Sequence, residues 1–83
     1  MTTEPEIYGA LTDIFADVFQ RPVALNPGLT ARDVQGWDSF KQIEIIMATE
    51  EKFVIRFTTR ELDSLQSVGD LVRVIGGKMP KAG

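Results

Sequence analysis

The 83-residue chain contains neither cysteine nor histidine. The first absence excludes disulfides and thiol nucleophiles, and the two together exclude thiolate or imidazole metal sites and every catalytic dyad built on histidine. The chain also lacks a long apolar run, and its first residues, 1–6, are acidic rather than basic. We therefore expect no stable membrane insertion, no export signal and a cytoplasmic location.

Basic side chains are too few for a nucleic-acid surface. Twelve acidic residues outnumber nine basic ones, for a formal net charge of −3, whereas a protein that grips the phosphate backbone needs clustered positive charge. A protein partner with a basic surface suits this chain better. The length of the chain and its 43% apolar residues predict one small domain with a thin core. The sequence shows no group of acid and base residues of the kind that would indicate an enzyme.

The spacing of apolar residues predicts two longer helices in the first two thirds of the chain. Helix one covers residues 4–19 and opens with the capping-box pattern Thr3-x-x-Glu6. Helix two covers residues 39–52 and follows Asp38, a favourable N-cap residue. We expect its core-facing side to consist of four apolar side chains: Phe40, Ile43, Ile46 and Met47.

Two further capping boxes predict the C-terminal helices. Thr58 opens a short helix, and Ser67 opens a longer one with apolar residues at positions i, i+3, i+4 and i+7. The Gly76-Gly77 pair should end that last helix. We therefore expect the domain to occupy residues 1–77 and residues 78–83 to form a flexible C-terminal tail.

The segment 20–37 has no sustained period and is predicted to be a long loop that packs through Leu25, Leu29 and Val34. The segment 53–57 has side chains of period two and could be a strand, but no other segment could pair with it. We therefore favour a connecting segment whose aromatic residues pack into the core. The expected fold is all-α: a small antiparallel four-helix bundle of three longer helices and one short helix, with a long first loop.

The motif Gly36-Trp37-Asp38-Ser39-Phe40 stands between the loop and an acidic helix. There, and in the order of its elements from helix one to Ile75, the chain resembles the acyl carrier protein family, in which an Asp-Ser-Leu motif presents the serine that receives phosphopantetheine. Phe40 replaces the usual leucine. Trp37 is expected to close the loop by packing, and Gly36 to serve the backbone conformation.

The resemblance implies that Ser39 carries a covalent phosphopantetheine group and that Asp38 caps the helix and helps to orient a transferase and its metal ion. A phosphate on Ser39 would lie at a helix N-terminus, where an anion is favoured. The free-standing, monomeric protein would then carry acyl groups as thioesters for fatty acid, specialised lipid or polyketide-type biosynthesis. Its partners would be a phosphopantetheinyl transferase that uses coenzyme A, an acyl-loading enzyme and acyl-processing enzymes.

Two alternatives stay open. The chain could be an aminoacyl or peptidyl carrier, or an unmodified helical adaptor in which Asp38 and Ser39 only cap the helix.

Lys41 departs from the acidic pattern of the family and lies in the first turn of helix two, where the helix dipole disfavours a cation. The modest net charge favours a specialised pathway over primary fatty acid synthesis.

Helix two also carries acidic residues that match partner-facing positions of the family: Glu44, Glu50 and Glu51. A merely solvated face is the alternative. The resemblance further implies that an acyl chain can slip between helix two and the short helix. Six apolar residues are expected to pack the core there until a chain enters: Ile43, Ile46, Met47, Phe57, Leu62 and Leu65.

Overall fold

A computed structural model describes residues 3–79 of the chain. Within that range four α-helices and one 3₁₀ turn follow one another without a strand. Their bounds are α1 Glu4–Phe19, the turn Ala31–Asp33, α2 Ser39–Phe53, α3 Thr59–Ser64 and α4 Val68–Lys78. None of the four helices is long and apolar enough to cross a membrane. The expected all-α bundle, with three longer helices, one short helix and a long first loop, is confirmed.

Each helix begins at the residue that its capping pattern indicates. A side-chain oxygen accepts the backbone amide three positions along in every case, which satisfies one of the amides that the first turn leaves without a helical partner. The capping residues are Thr3, Asp38, Thr58 and Ser67. Local chemistry therefore decides where the helices start.

The end of α4 differs from the sequence prediction. The Gly76-Gly77 pair does not end the helix, which continues to Lys78. A glycine inside a helix costs only about 1 kcal/mol, and here the last residue of the helix forms an ion pair between Lys78 Nζ and Glu61 Oε1 at 2.7 Å. Lys78 is therefore part of the bundle rather than of a tail, and the expected tail at 80–83 lies outside the described residues.

The buried core is built from α1, α2 and α4 with help from the first loop. Its fully buried large side chains include Phe15, Leu11, Ile45 and Ile75. Trp37 packs edge-on against Phe15, with ring centroids 5.2 Å apart, and so closes the loop over the core as expected.

The first loop is attached to the start of α4. The amides of Val68 and Gly69 donate to the carbonyl oxygens of Leu29 and Pro27, at 2.9 and 3.0 Å. Because first-turn amides have no acceptor inside their own helix, these two bonds satisfy α4 and position the loop at once. Of the predicted packing residues, Val34 is buried, and the loop leucines are half-buried against the core.

Helix α2 is rotated relative to the sequence prediction. Ile45, Ile46 and Thr49 are buried, whereas three of the expected core residues are exposed: Phe40 by 78%, Ile43 by 56% and Met47 by 63%. The helix has two apolar stripes. The stripe that packs against the core contains the polar residue Thr49, which makes it hard to recognise in the sequence. The hydroxyl of Thr49 can enter the core because it donates to the carbonyl of Ile45 at 2.7 Å.

Candidate functional site

Ser39 is the first residue of α2 and its side chain is exposed. The preceding residue, Asp38, takes the capping role, since its Oδ1 accepts the amide of Lys41 at 2.9 Å. The chain enters this corner through Gly36, whose φ of 88° is left-handed and is adopted without strain by glycine. The hydroxyl of Ser39 is consequently free of any structural hydrogen bond within residues 3–79.

The electrostatic environment of Ser39 fits a phosphodiester. The amides of Ser39 and Phe40 lie in the first turn of α2 and have no acceptor within the helix, and the positive end of the helix dipole favours an anion at that place. An exposed hydroxyl beside two free N–H donors can accept a large substituent without disturbing the core. The residues present therefore suit a phosphopantetheine group.

Lys41 does not place its charge where the sequence suggests. Its Nζ donates to the carbonyl oxygen of Val18 at 3.2 Å, across the bundle at the end of α1. A cation is favoured at a helix C-terminus because it faces carbonyl oxygens without helical partners. The expected conflict with the dipole of α2 is thus offset by a favourable contact with α1, which only the tertiary structure creates.

A groove of about 520 Å³ opens beside Ser39 between α2 and α3. Among the six residues predicted for an acyl path, three line it: Ile43, Leu62 and Leu65. The prediction that all six pack the core is wrong, because Ile43 and Met47 are exposed and Leu62 is 38% exposed. Ile46 is buried, and Phe57 and Leu65 pack half-buried against the core.

The outer face of α2 carries an apolar stripe that the sequence reading assigned to the core. Phe40, Ile43 and Met47 project outward, and the side chains of Glu44 and Glu51 are exposed on the same helix. At 100° per residue both glutamates lie within about 60° of Met47 around the helix. The sequence does contain a second stripe on α2, through Ile45, Thr49 and Phe53, but its spacing alone does not show that it is the buried one.

The carboxylate of Glu50 has a structural role and is not a free acidic side chain on the outer face of α2. Its Oε2 accepts the amide of Phe57 at 2.8 Å, and its carbonyl accepts the amide of Ile55 at 3.1 Å. These bonds hold the connection from α2 to α3, in which Val54 adopts a left-handed φ of 56°. The partner-facing carboxylates predicted from the sequence are therefore reduced to Glu44 and Glu51.

The family model described as "Phosphopantetheine attachment site" matches residues 9–75 of the chain. That range includes α1 from Gly9 onward, the first loop, the whole Asp38-Ser39 corner and the groove beside it. The match covers most of the chain.

Named proteins and a solved structure are similar over most of the chain as well. The chain is 36% identical over 66 residues to a Schizosaccharomyces pombe protein named as a mitochondrial acyl carrier protein, covering 80% of this chain and 58% of that one. It is 32% identical over 74 residues to the acyl carrier protein of Acidothermus cellulolyticus, covering 88% of each. The solution structure of holo acyl carrier protein from Geobacter metallireducens superposes with a TM-score of 0.80 at 35% identity, over 84% of this chain and 82% of that one.

Proposed function

Because the chain belongs to the acyl carrier protein family, we propose that Ser39 bears its covalently attached phosphopantetheine group. A member of this family is a carrier and not an enzyme. We further propose that the loaded protein carries acyl intermediates as thioesters between enzymes of fatty acid, specialised lipid or polyketide-type biosynthesis. The observation that carries the proposal is the exposed, unbonded hydroxyl of Ser39 at the N-terminus of α2.

The chain needs no internal base for this modification. Ser39 supplies a hydroxyl nucleophile, and a separate transferase would take its proton as the oxygen attacks the phosphorus that carries the pantetheine arm of coenzyme A. A phosphodiester bond would form, the diphosphate bond of coenzyme A would break, and adenosine 3′,5′-bisphosphate would leave. The amides of Ser39 and Phe40, in the first turn of α2, would then be available to the phosphate charge. The group supplies the thiol that this cysteine-free chain lacks, and thioester chemistry follows from that thiol.

The modification is tested by incubating the purified protein with coenzyme A and a broad-specificity phosphopantetheinyl transferase. Intact-mass analysis should show the addition of one phosphopantetheine group. Fragmentation should then place that group on Ser39 rather than on either of the other two serines, Ser64 and Ser67. No adduct with several transferases, or an adduct on another serine, contradicts the proposal.

The Asp38→Asn variant separates the two roles assigned to Asp38. Asparagine caps helices about as well as aspartate, so the free energy of unfolding should stay within ~0.5 kcal/mol of the parent. The carboxylate charge is lost, however, and we expect modification by the transferase to become at least tenfold slower. Equal rates for Asp38→Asn and the parent would limit Asp38 to capping.

The outer face of α2 is proposed as the surface that partner enzymes contact. It presents apolar side chains together with the exposed carboxylates of Glu44 and Glu51. Such a face suits basic partner surfaces, and charge complementarity of this kind mainly accelerates encounter and selects partners. The transferase, the acyl-loading enzyme and the acyl-processing enzymes would all meet it, one at a time.

Charge reversals on α2 should separate contact residues from structural ones. Glu44→Lys should slow modification by the transferase and leave the free energy of unfolding within ~0.5 kcal/mol, because exposed charges contribute little to stability. Glu50→Lys should lower the free energy of unfolding by about 1–3 kcal/mol, since the amide of Phe57 loses its acceptor. Denaturant unfolding and initial rates provide the two measurements.

Glu50→Gln is the matched control, because its amide oxygen can still accept the Phe57 N–H. It should retain most of the stability that Glu50→Lys loses. If all three variants unfold alike, the bond between Glu50 and Phe57 is unimportant, and if Glu44→Lys is modified at the parent rate, the acidic face is only solvated.

The lining of the groove beside Ser39 supports a proposal about the cargo. The groove beside Ser39 is lined by Ile43, Leu62 and Leu65, which favours a hydrocarbon acyl chain over an amino acid, because burying a chain gains about 0.8 kcal/mol for each CH₂ group. The same groove argues against an unmodified adaptor. The cytoplasmic location stays a prediction, since one similar protein is named as mitochondrial.

A further inference from the structure

The short helix α3 buries too little of its own surface to be stable without contacts from the rest of the bundle. It contains six residues and none of them is fully buried, and isolated helices of that length are not stable in water. Leu62 is 38% exposed, while Leu65, the residue after the helix, packs half-buried against the core. Contacts with the rest of the bundle therefore decide where α3 lies.

One of these contacts is an ion pair to the last residue of α4. The Nζ atom of Lys78 lies 2.7 Å from Oε1 of Glu61, and the two side chains are only 23% and 30% exposed. The same oxygen accepts the backbone amide of Thr58 at 2.8 Å. These bonds to Lys78 and Thr58 lower the pKa of Glu61, so the carboxylate is charged at neutral pH. The only other ion pair within residues 3–79 lies inside α4.

The anchored partner in this pair is α4. Its residues Val68, Leu71, Val72 and Ile75 are buried, whereas α3 has no buried residue. A contact of 2.7 Å is already at the short end for a charged hydrogen bond, so movement of α3 away from the end of α4 lengthens it. The pair therefore opposes separation of α3 from α4.

We propose that the Glu61–Lys78 ion pair limits how far α3 can move, and thereby the length of acyl chain that the groove between α2 and α3 takes in. The inference rests on the proposed acyl carrier function. Leu62 and Leu65 form the α3 side of the groove, and Glu61 directly precedes Leu62. A chain that needs more room must displace α3 and stretch the pair.

Lys78→Gln tests this limit in the 83-residue chain. Glutamine removes the charge and leaves the Thr58–Glu61 cap in place. The amides of Leu62 and Leu65, which donate to the carbonyls of Thr58 and Leu62, should exchange with solvent about two- to fivefold faster, the range that a partly exposed ion pair produces. Hydrogen exchange followed by NMR measures this in the unmodified and the phosphopantetheinylated protein alike.

Loading with chains of increasing length tests the effect on cargo. The transferase is supplied with butyryl, octanoyl or dodecanoyl coenzyme A, and the methyl signals of Ile43 and Leu62 are followed. In the parent protein these signals should stop changing before the longest chain is reached. In Lys78→Gln they should continue to change up to dodecanoyl.

Arg73→Gln is the matched control, because it removes a positive charge from the same helix and breaks the pair with Asp70 inside α4. It should alter neither exchange in α3 nor the methyl signals. Glu61→Gln should reproduce Lys78→Gln, since glutamine still suits the capping box. The double variant Glu61→Gln/Lys78→Gln should behave like either single variant, as expected when two residues act through one contact.

The outcomes distinguish this inference from the proposed function. Equal exchange in Lys78→Gln and Arg73→Gln, additive effects in the double variant, or methyl signals that ignore chain length in every variant would overturn the role of the ion pair while leaving the carrier function intact. Failure of the parent protein to gain any phosphopantetheine in the mass spectrum would instead overturn the function on which the inference rests.

Discussion

Ser39→Ala is expected to fold like the parent protein and to gain no phosphopantetheine at all. The side chain of Ser39 is exposed and Asp38 provides the cap of α2, so the free energy of unfolding should change by less than ~0.5 kcal/mol. The modification should nevertheless fall below detection, because neither remaining serine lies at the start of α2: Ser64 ends α3 and Ser67 caps α4. Intact-mass analysis after prolonged incubation with coenzyme A and transferase measures the product.

The matched control for this loss is Ser64→Ala. The hydroxyl of Ser64 is also exposed and makes only a local bond to the carbonyl of Glu61. Its removal should leave the amount and the rate of modification unchanged. An adduct that persists in Ser39→Ala would assign the group to another residue, and loss of the adduct in both variants would point to a disturbed surface rather than to a lost nucleophile.

Gly69→Ala is expected to lower the free energy of unfolding by about 1–3 kcal/mol, in the range of other substitutions that overfill a packed site. A Cβ atom at position 69 would lie 2.8 Å from the carbonyl oxygen of Pro27 and 3.3 Å from its Cα. Those are backbone atoms of the loop whose carbonyl oxygens accept the first amides of α4. Because the loop cannot yield without breaking those bonds, the steric cost exceeds the gain of up to ~1 kcal/mol that alanine brings to a helix.

Gly9→Ala should change the free energy of unfolding in the opposite direction. A Cβ at Gly9 would meet nothing within 4 Å, and the residue lies inside α1, so alanine should stabilise the protein by about 0.5–1 kcal/mol. Chemical denaturation of both variants measures the difference. A stabilised Gly69→Ala protein would show that the loop does not depend on its contact with α4.

The candidate site could be read from the sequence to the extent that it is local. Asp38 and Ser39 were expected at the start of α2, and the structure places both there. The groove was only partly foreseen, because a helix with two apolar stripes does not reveal by its spacing which stripe is buried. The polar residue Thr49 interrupts the buried stripe, and only its hydrogen bond to the carbonyl of Ile45 explains why its hydroxyl can be buried.

Other residues changed their roles once distant segments came together. The sequence predicts a partner-facing carboxylate at Glu50, which in the structure accepts the amide of Phe57. It predicts that Lys41 opposes the dipole of its own helix, whereas the Lys41 Nζ donates to the carbonyl of Val18 at the end of α1. It places Lys78 in a tail, whereas Lys78 is paired with Glu61.

By itself the sequence determined the helical class, the start of every helix and the residues of the proposed attachment corner, because caps and periodic apolar residues act over three or four positions of the chain. Only the tertiary structure decided which face of α2 is buried, where the groove opens and which charged side chains are paired. Those outcomes depend on contacts between residues far apart in sequence. Glu61 and Lys78 belong to different helices, and nothing in the local sequence of either residue indicates the other.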